Sequence, residues 1–188
     1  AGDVLSLRDE HMHFGSHRLQ HNEEINFSNV STNCCEALFK ILINDAKRIS
    51  IDVLCSPDRQ EFTRITFYVN GGFNNRFRSV VGAATDANHL QPTSNDSVVT
   101  IDSSNSSILS DVSIRPPESA SIRLHSDEIL DVREFIDRSV VEVFIDDQQC
   151  LAVRVYPSLV ASTGMSVIGL GGTAELVSLD IWEMRSIY

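Results

Sequence analysis

From about residue 22 onward, apolar and polar positions alternate along most of the chain. In "EALFKILI" the alternation puts Ala37, Phe39, Ile41 and Ile43 on one side and Lys40 on the other, the period of a strand with one face in a core. "ISIDVL" (49–54), "FTRITFYV" (62–69) and "SVVTID" (97–102) continue the pattern and are rich in β-branched and aromatic residues. The final third is the most regular. "ILDVREFI", "SVVEVFID", "QCLAVRVYP", "MSVIGL" and "TAELVSLDIWEM" follow one another, separated by "DRS", "DQ", "SLVASTG" and "GG", which are turn residues. Many short strands without intervening helices predict an all-β fold: an antiparallel two-sheet β-sandwich, jelly-roll-like in plan.

Three stretches break the alternation. The opening "VLSLRDEHMHFGSHRLQ" is the best candidate for a short helix or a turn-rich linker, with Gly15 interrupting any long helix. It sets the boundaries: a linker over 1–21 and a sandwich over 22–188. The segment between Gly71 and Asp96 reads as a long loop excursion. "RPPESA" (115–120) is a further break, since its prolines cannot serve a central strand.

Composition narrows the function classes. The 188 residues include 42% hydrophobic and 22% charged, the balance of a globular chain, and carry a net charge of −11. A surface of that sign repels phosphate backbones and anionic lipid, which argues against nucleic acid and membrane as partners. No apolar run approaches the roughly 20 residues a spanning helix needs. The chain opens on "AGDVLSL" without an initiator Met or a signal segment, as expected of a processed product, an excised piece or the tail of something longer.

Cys34, Cys35, Cys55 and Cys150 show no CxxC or zinc-like spacing, and adjacent Cys34 and Cys35 would need a strained ring to join. Buried thiols are expected rather than a disulfide framework. Four N-x-S sequons, at Asn26, Asn29, Asn95 and Asn105, are glycosylation candidates and point to a secreted chain.

Candidate chemistry centres on "FIDRSVVEVFIDD" (135–147), where Asp137 and Glu142 could be an acid and a base. Asp137–Arg138–Ser139 reads as a hairpin turn, and the five-residue separation puts the two carboxylates on opposite faces of a continuous strand. A catalytic pair must instead face one cleft, about 5–10 Å apart. His11, His13, His17 and His21 cluster early, and His17 and His21 would share a helix face with Asp9 or Glu10 nearby; a solvated His-rich linker is the simpler reading, with no metal. Gly169–Gly172 is a tight turn, because no strand–loop–helix unit follows. Sugar could stack on aromatics. Few are present, and Tyr68 or Phe73, beside the long loop, are the sugar-contact candidates.

"LDVREFIDRSVVEVFIDDQQCLAVRVYP" followed by "AELVSLDIWEMRSIY" resembles the C-terminal β-sandwich of glycoside hydrolase family 32, the invertases, inulinases and levanases that cleave β-fructofuranosides. "LRDEHMHFGSHRL" is similar to the linker that enters that sandwich. "TIDSSNSSI" is similar to its D-x-S-R-S-S loop, with Asn105 where Arg is usual, and Glu134 stands where an apolar residue is commoner. The family's catalytic motifs, W-M-N-D-P-N-G, R-D-P and E-C-P, belong to a five-bladed propeller and do not occur here. The resemblance therefore implies a non-catalytic accessory module without cofactor or catalytic residue, whose partner is the propeller. It would stabilise that domain, shape substrate access or form a homodimer contact. Asp137, Arg138, Glu142 and Trp182 would be structural or interdomain residues, and carbohydrate a further ligand. A stand-alone secreted glycan-binding module or a structural oligomer is the alternative.

Overall fold

A computed structural model of the chain describes residues 4–70 and 96–185. After a 3-10 turn at Val4–Leu7, the alternating segments become thirteen strands among the described residues. One sheet contains β1 (Arg8–Phe14), β2 (His17–Leu19), β4 (Cys34–Leu42), β9 (Ile129–Asp137), β10 (Val140–Ile145), β11 (Gln149–Arg154) and β13 (Ala174–Met184). Its order is β1-β13-β4-β9-β10-β11, and β2 also pairs with β13. The other contains β3 (Glu24–Asn26), β5 (Arg48–Cys55), β6 (Thr63–Tyr68), β7 (Asp96–Asp102), β8 (Glu118–Arg123) and β12 (Gly164–Leu170), in the order β3-β12-β5-β6-β7-β8. All neighbours are antiparallel. The predicted two-sheet sandwich is the fold.

The core lies between the sheets and is built by the alternation. Ala37, Phe39 and Ile41 of β4, Val132 and Ile136 of β9, and Val141, Val143 and Ile145 of β10 are buried from one side. Ile49, Ile51 and Val53 of β5, Ile65 and Phe67 of β6, and Val99 and Ile101 of β7 are buried from the other. Each large apolar side chain taken out of water contributes about 1.5–3 kcal/mol, and β-branched residues suit the pleat that aims them.

The opening segment departs from the helix-or-linker expectation. β1 and β2 form one edge strand interrupted at Gly15–Ser16, running along β13 from Arg8↔Met184 to Leu19↔Ala174. The sequence hides this because His11, His13 and Asp9 are exposed on one side, and the other offers only the half-buried Met12 and Phe14 before Leu19 reaches the core. Phe14 closes on Phe27 with ring centroids 5.0 Å apart. His17 and His21 accordingly share no helix face.

The connections gather at two ends of the sandwich. At the crossover end lie residues 43–47, 146–148 and 171–173; at the loop end lie 56–62, 103–117, 138–139 and 155–163, together with the entry turn Val4–Leu7. The crossover end is closed by Asp45, whose Oδ1 accepts the Thr173 N–H at 2.8 Å and the Thr173 hydroxyl at 2.6 Å. These bonds hold its carboxyl below the usual aspartate range. Gly169–Gly172 makes a turn into β13, as expected. A Cβ on Gly172 would stand 2.2 Å from the Asp45 carbonyl oxygen, so only glycine fits.

Candidate functional site

On the outer face of the first sheet, Trp182 of β13 pairs in register with His11 of β1 on one side and Glu36 of β4 on the other. The Arg8 guanidinium spans this row. Its Nε and Nη2 donate to the two Glu36 carboxylate oxygens at 2.8 and 2.7 Å, and its carbon lies 3.7 Å from the Trp182 ring centroid. The planar fork suits both tasks, matching a carboxylate edge-on and an indole face-on. Arg133 approaches Glu36 from β9 at 3.5 Å, and the His11 ring stacks on Trp182 at 4.9 Å. Glu36 is thereby buried although it points away from the core. Below it, Asp180 receives His11 Nε2 at 2.9 Å and His13 Nδ1 at 2.7 Å. Burial raises the Asp180 pKa, and the two histidine contacts outweigh it and hold the carboxyl below its usual range. Trp182 is half-buried against these side chains rather than in the core.

At the loop end, Glu61 follows the turn "SPDRQ" between β5 and β6 and is fully buried. Its carboxylate accepts the N–H groups of Ile108, Ser158 and Leu159 at 3.0–3.1 Å, the Ser158 hydroxyl at 2.5 Å and the Ser162 hydroxyl at 2.6 Å. Burial acts to raise its pKa; the donors prevail and hold the carboxyl down at about 2. One side chain so fastens three loops. The Phe62 N–H donates to the Asn105 carbonyl at 2.8 Å, which adds the D-x-S loop to the same seam.

The Asp137–Arg138–Ser139 stretch is the expected hairpin, with Arg138 in the left-handed region at φ 53° and its N–H on the Asn33 carbonyl at 2.7 Å. The face assignment of its carboxylates is corrected. Asp137 pairs with Val140 and Glu142 with Phe135, so the two-residue turn brings Asp137 and Glu142 to the same outer face, as diagonal neighbours. Both are exposed on an open sheet beside the edge-to-face pair Phe135–Phe144. Two clefts, one touching His125, Asp146 and Gln148 and the other Arg18, Asp45 and Glu175, lie at the crossover end instead.

Tyr68 is 37% exposed on the outer face of the second sheet, in register with Arg48 and Val98. Phe73 and Asn95 lie outside the described residues. The other sequon asparagines, Asn26, Asn29 and Asn105, are all exposed. Among the described residues no group of three or more His, Cys, Asp or Glu side chains is arranged to hold a metal ion. The four cysteines are free thiols, with Cys35 and Cys55 buried and Cys150 exposed.

Two acids on β5 and β9 contrast. Asp52 is buried on the outer face of the second sheet but met by Arg64 through Nε and Nη2, each at 2.7 Å, and by Arg59. Glu134 points into the core with neither carboxyl oxygen partnered among the described residues. Burial, then the charge of Asp52, pushes its pKa up to about 8.

Sequence reasoning singled out Trp182 and the hairpin but missed Glu61 and the Arg8–Glu36 pair. No local signal marks them, since Glu61 draws its partners from 47 to 101 positions away and Arg8 finds Glu36 at a separation of 28.

The comparisons with known proteins fit this architecture. No curated protein sequence matches the chain significantly. Among solved structures it is similar to fructan 1-exohydrolase IIa from Cichorium intybus, at 14% identity and a TM-score of 0.74, over 97% of this chain and 37% of that one. It is similar to exo-inulinase from Aspergillus awamori, at 17% identity and 0.66, over 98% and 31%. To sucrose-6-phosphate hydrolase from Lactobacillus gasseri the values are 18% and 0.61, over 98% and 30%. The chain thus spans about a third of the length of these relatives. The model of the glycosyl hydrolases family 32 C-terminal domain matches residues 3–183, from the entry turn to the end of β13. The sandwich with its β1–β13 edge is therefore a member of the family of C-terminal domains of the family 32 glycosyl hydrolases.

Proposed function

We propose that the chain serves as the non-catalytic C-terminal module of an enzyme that cleaves β-fructofuranosides such as sucrose or fructans. Its partner is the five-bladed propeller domain that carries the chemistry. The family match over residues 3–183 carries this reading. What supports the module's role is its construction: its buried ionic groups, Glu36 under Arg8 and Glu61 under two serines, fix surfaces rather than activate a substrate. A rigid neighbour stabilises whatever packs against it by mass action on the folded state.

The exposed sequons at Asn26, Asn29 and Asn105 support passage through a secretory route. The test is the intact mass of the protein from its natural source, with sucrose and inulin hydrolysis on the same sample. A mass well above 20.9 kDa together with released fructose is the expected result. A mass near that value plus glycans, without fructose release, overturns the reading.

A further inference from the structure

The two clefts at the crossover end adjoin. One holds about 150 Å³, room for one sugar ring, and is lined by Arg123, His125, Glu128, Asp146 and Gln148 over a floor that includes Leu130. The other is more open, holds about 600 Å³ and touches Arg18, Asn44, Asp45 and Glu175. Ile43 lines the first and the next residue, Asn44, lines the second, so the connection 43–47 is the divide between them.

The smaller cleft is framed by segments bonded to one another. The Asn44 N–H donates to the Ser126 carbonyl at 3.2 Å, which fixes the turn after β8 to the 43–47 connection. The Asp146 N–H donates to the Asp131 carbonyl at 3.1 Å, and Asp146 Oδ1 accepts the Asp131 N–H at 2.8 Å. Gln149 Nε2 donates to the Ser121 carbonyl at 3.1 Å and closes β11 of one sheet onto β8 of the other. Walls held before a ligand arrives lose little entropy when it binds.

The side chains that face the cleft are not engaged in this framework. Arg123, His125, Glu128 and Gln148 are exposed and make no side-chain hydrogen bond or ion pair among the described residues. Guanidinium and amide N–H donors thus alternate with the carboxylate acceptors of Glu128 and Asp146, and the imidazole serves as either. A hydroxyl is the one simple group that donates and accepts at the same point. Ile129, 49% exposed, adds an apolar strip for C–H faces.

Charge narrows the class. Arg123 stands with Glu128 and Asp146 in one cleft, and Arg18 with Asp45 and Glu175 in the other. An anion meets two carboxylates in either and an organic cation meets a guanidinium in either. Among the described residues no group is arranged to hold a metal ion. A neutral ligand rich in hydroxyls meets none of these obstacles. We infer that the crossover end is a carbohydrate-binding site, with one sugar ring in the smaller cleft and the next units passing over Asn44 into the larger. The inference uses nothing of the propeller and stands apart from the module reading.

The 188-residue chain encloses its own core between the sheets and is the sample for the test, a titration of the ¹⁵N-labelled protein followed by amide shifts in NMR. Two neutral trisaccharides are the probes: 1-kestose, a fructan, and cellotriose, a fragment of a structural polysaccharide. Saturable shifts at residues 43–45, 123–130 and 146–148 are expected with at least one of them, with a dissociation constant on the order of 1 mM. The tighter probe identifies which kind of polymer the site takes. Arg123→Ala and Gln148→Ala change exposed positions and should each weaken binding about tenfold while the remaining amide shifts stay in place. Shifts centred on Tyr68 or Trp182, or unchanged affinity in both variants, overturn the cleft as the site. No shift with either probe at roughly 20 mM overturns carbohydrate binding at this end and leaves the module reading standing.

Discussion

The Ser162 hydroxyl donates to the Glu61 carboxylate at 2.6 Å across 101 positions of chain, tying the loop before β12 to the turn between β5 and β6. Glu61→Ala would strand the Ile108, Ser158 and Leu159 N–H groups in a site closed to water. The expected loss is about 3 kcal/mol or more, read as a lower midpoint in urea unfolding. Glu61→Gln keeps the shape but faces donors with an amide that itself donates, so it should fall between.

The same group sets the acid limit. Its folded pKa of about 2 is depressed below the unfolded value of 4.5. The stability it supplies is therefore present above pH 4.5 and lost as pH falls toward 2. The loss should be on the order of 3 kcal/mol and absent from Glu61→Gln.

Glu134 acts with the opposite sign. Its folded pKa, about 8, is raised above the unfolded 4.5. The fold is unpenalised below pH 4.5 and weakens as pH climbs from there to 8, by at most about 1.4 kcal/mol per pH unit. Glu134→Gln should flatten this slope, and Glu134→Leu should flatten it and raise stability by a few kcal/mol at pH 8 and above. Urea unfolding from pH 5 to 9 reads both; an unchanged slope in both variants would refute the assignment.

Arg8→Ala is expected to leave Glu36 buried with Arg133 alone, at 3.5 Å, and to uncover Trp182. A destabilisation of about 3 kcal/mol follows from an orphaned buried charge. Trp182 is the chain's single tryptophan, so its emission should shift to the red in the folded variant. Arg8→Lys should recover little, because an ammonium can neither fork onto Glu36 nor lie flat on the indole.

The thiols should sort by environment. Burial raises the pKa of Cys35 beyond the ordinary thiol range and that of Cys55 to about 12, and both are enclosed. In native protein, maleimide is expected to modify Cys150 first and to spare Cys35 and Cys55 until denaturant is added. Peptide mass mapping of the labelled chain checks this order.

The strands of the core were legible because burial on one face imposes a period of two, and nothing in "EALFKILI" or "SVVEVFID" competes with it. β1 was not, because an edge strand whose outer face holds Arg8, His11 and His13 shows charge where an apolar repeat would be sought. Counting along one continuous strand puts Asp137 and Glu142 on opposite faces; the two-residue turn reverses the count. Glu134 is visible as an odd residue in an apolar position, but its cost depends on the absence of a partner across the core among the described residues. Glu61 was invisible, since a carboxylate in a polar turn looks solvated until the loops that cover it are known.

The pairing of β1 with β13 also bears on how the molecule assembles. β13 is the last strand among the described residues, yet it lies inside its sheet between β1 and β4. Residues 8–14 precede residues 179–184 by nearly the whole domain and must wait for them before their hydrogen bonds can form. Contacts of such separation demand loop closure before they return any energy, which slows folding. The sheet should therefore close late and all at once, and truncation within β13 should leave β1 and β4 as two unpaired edges prone to aggregation.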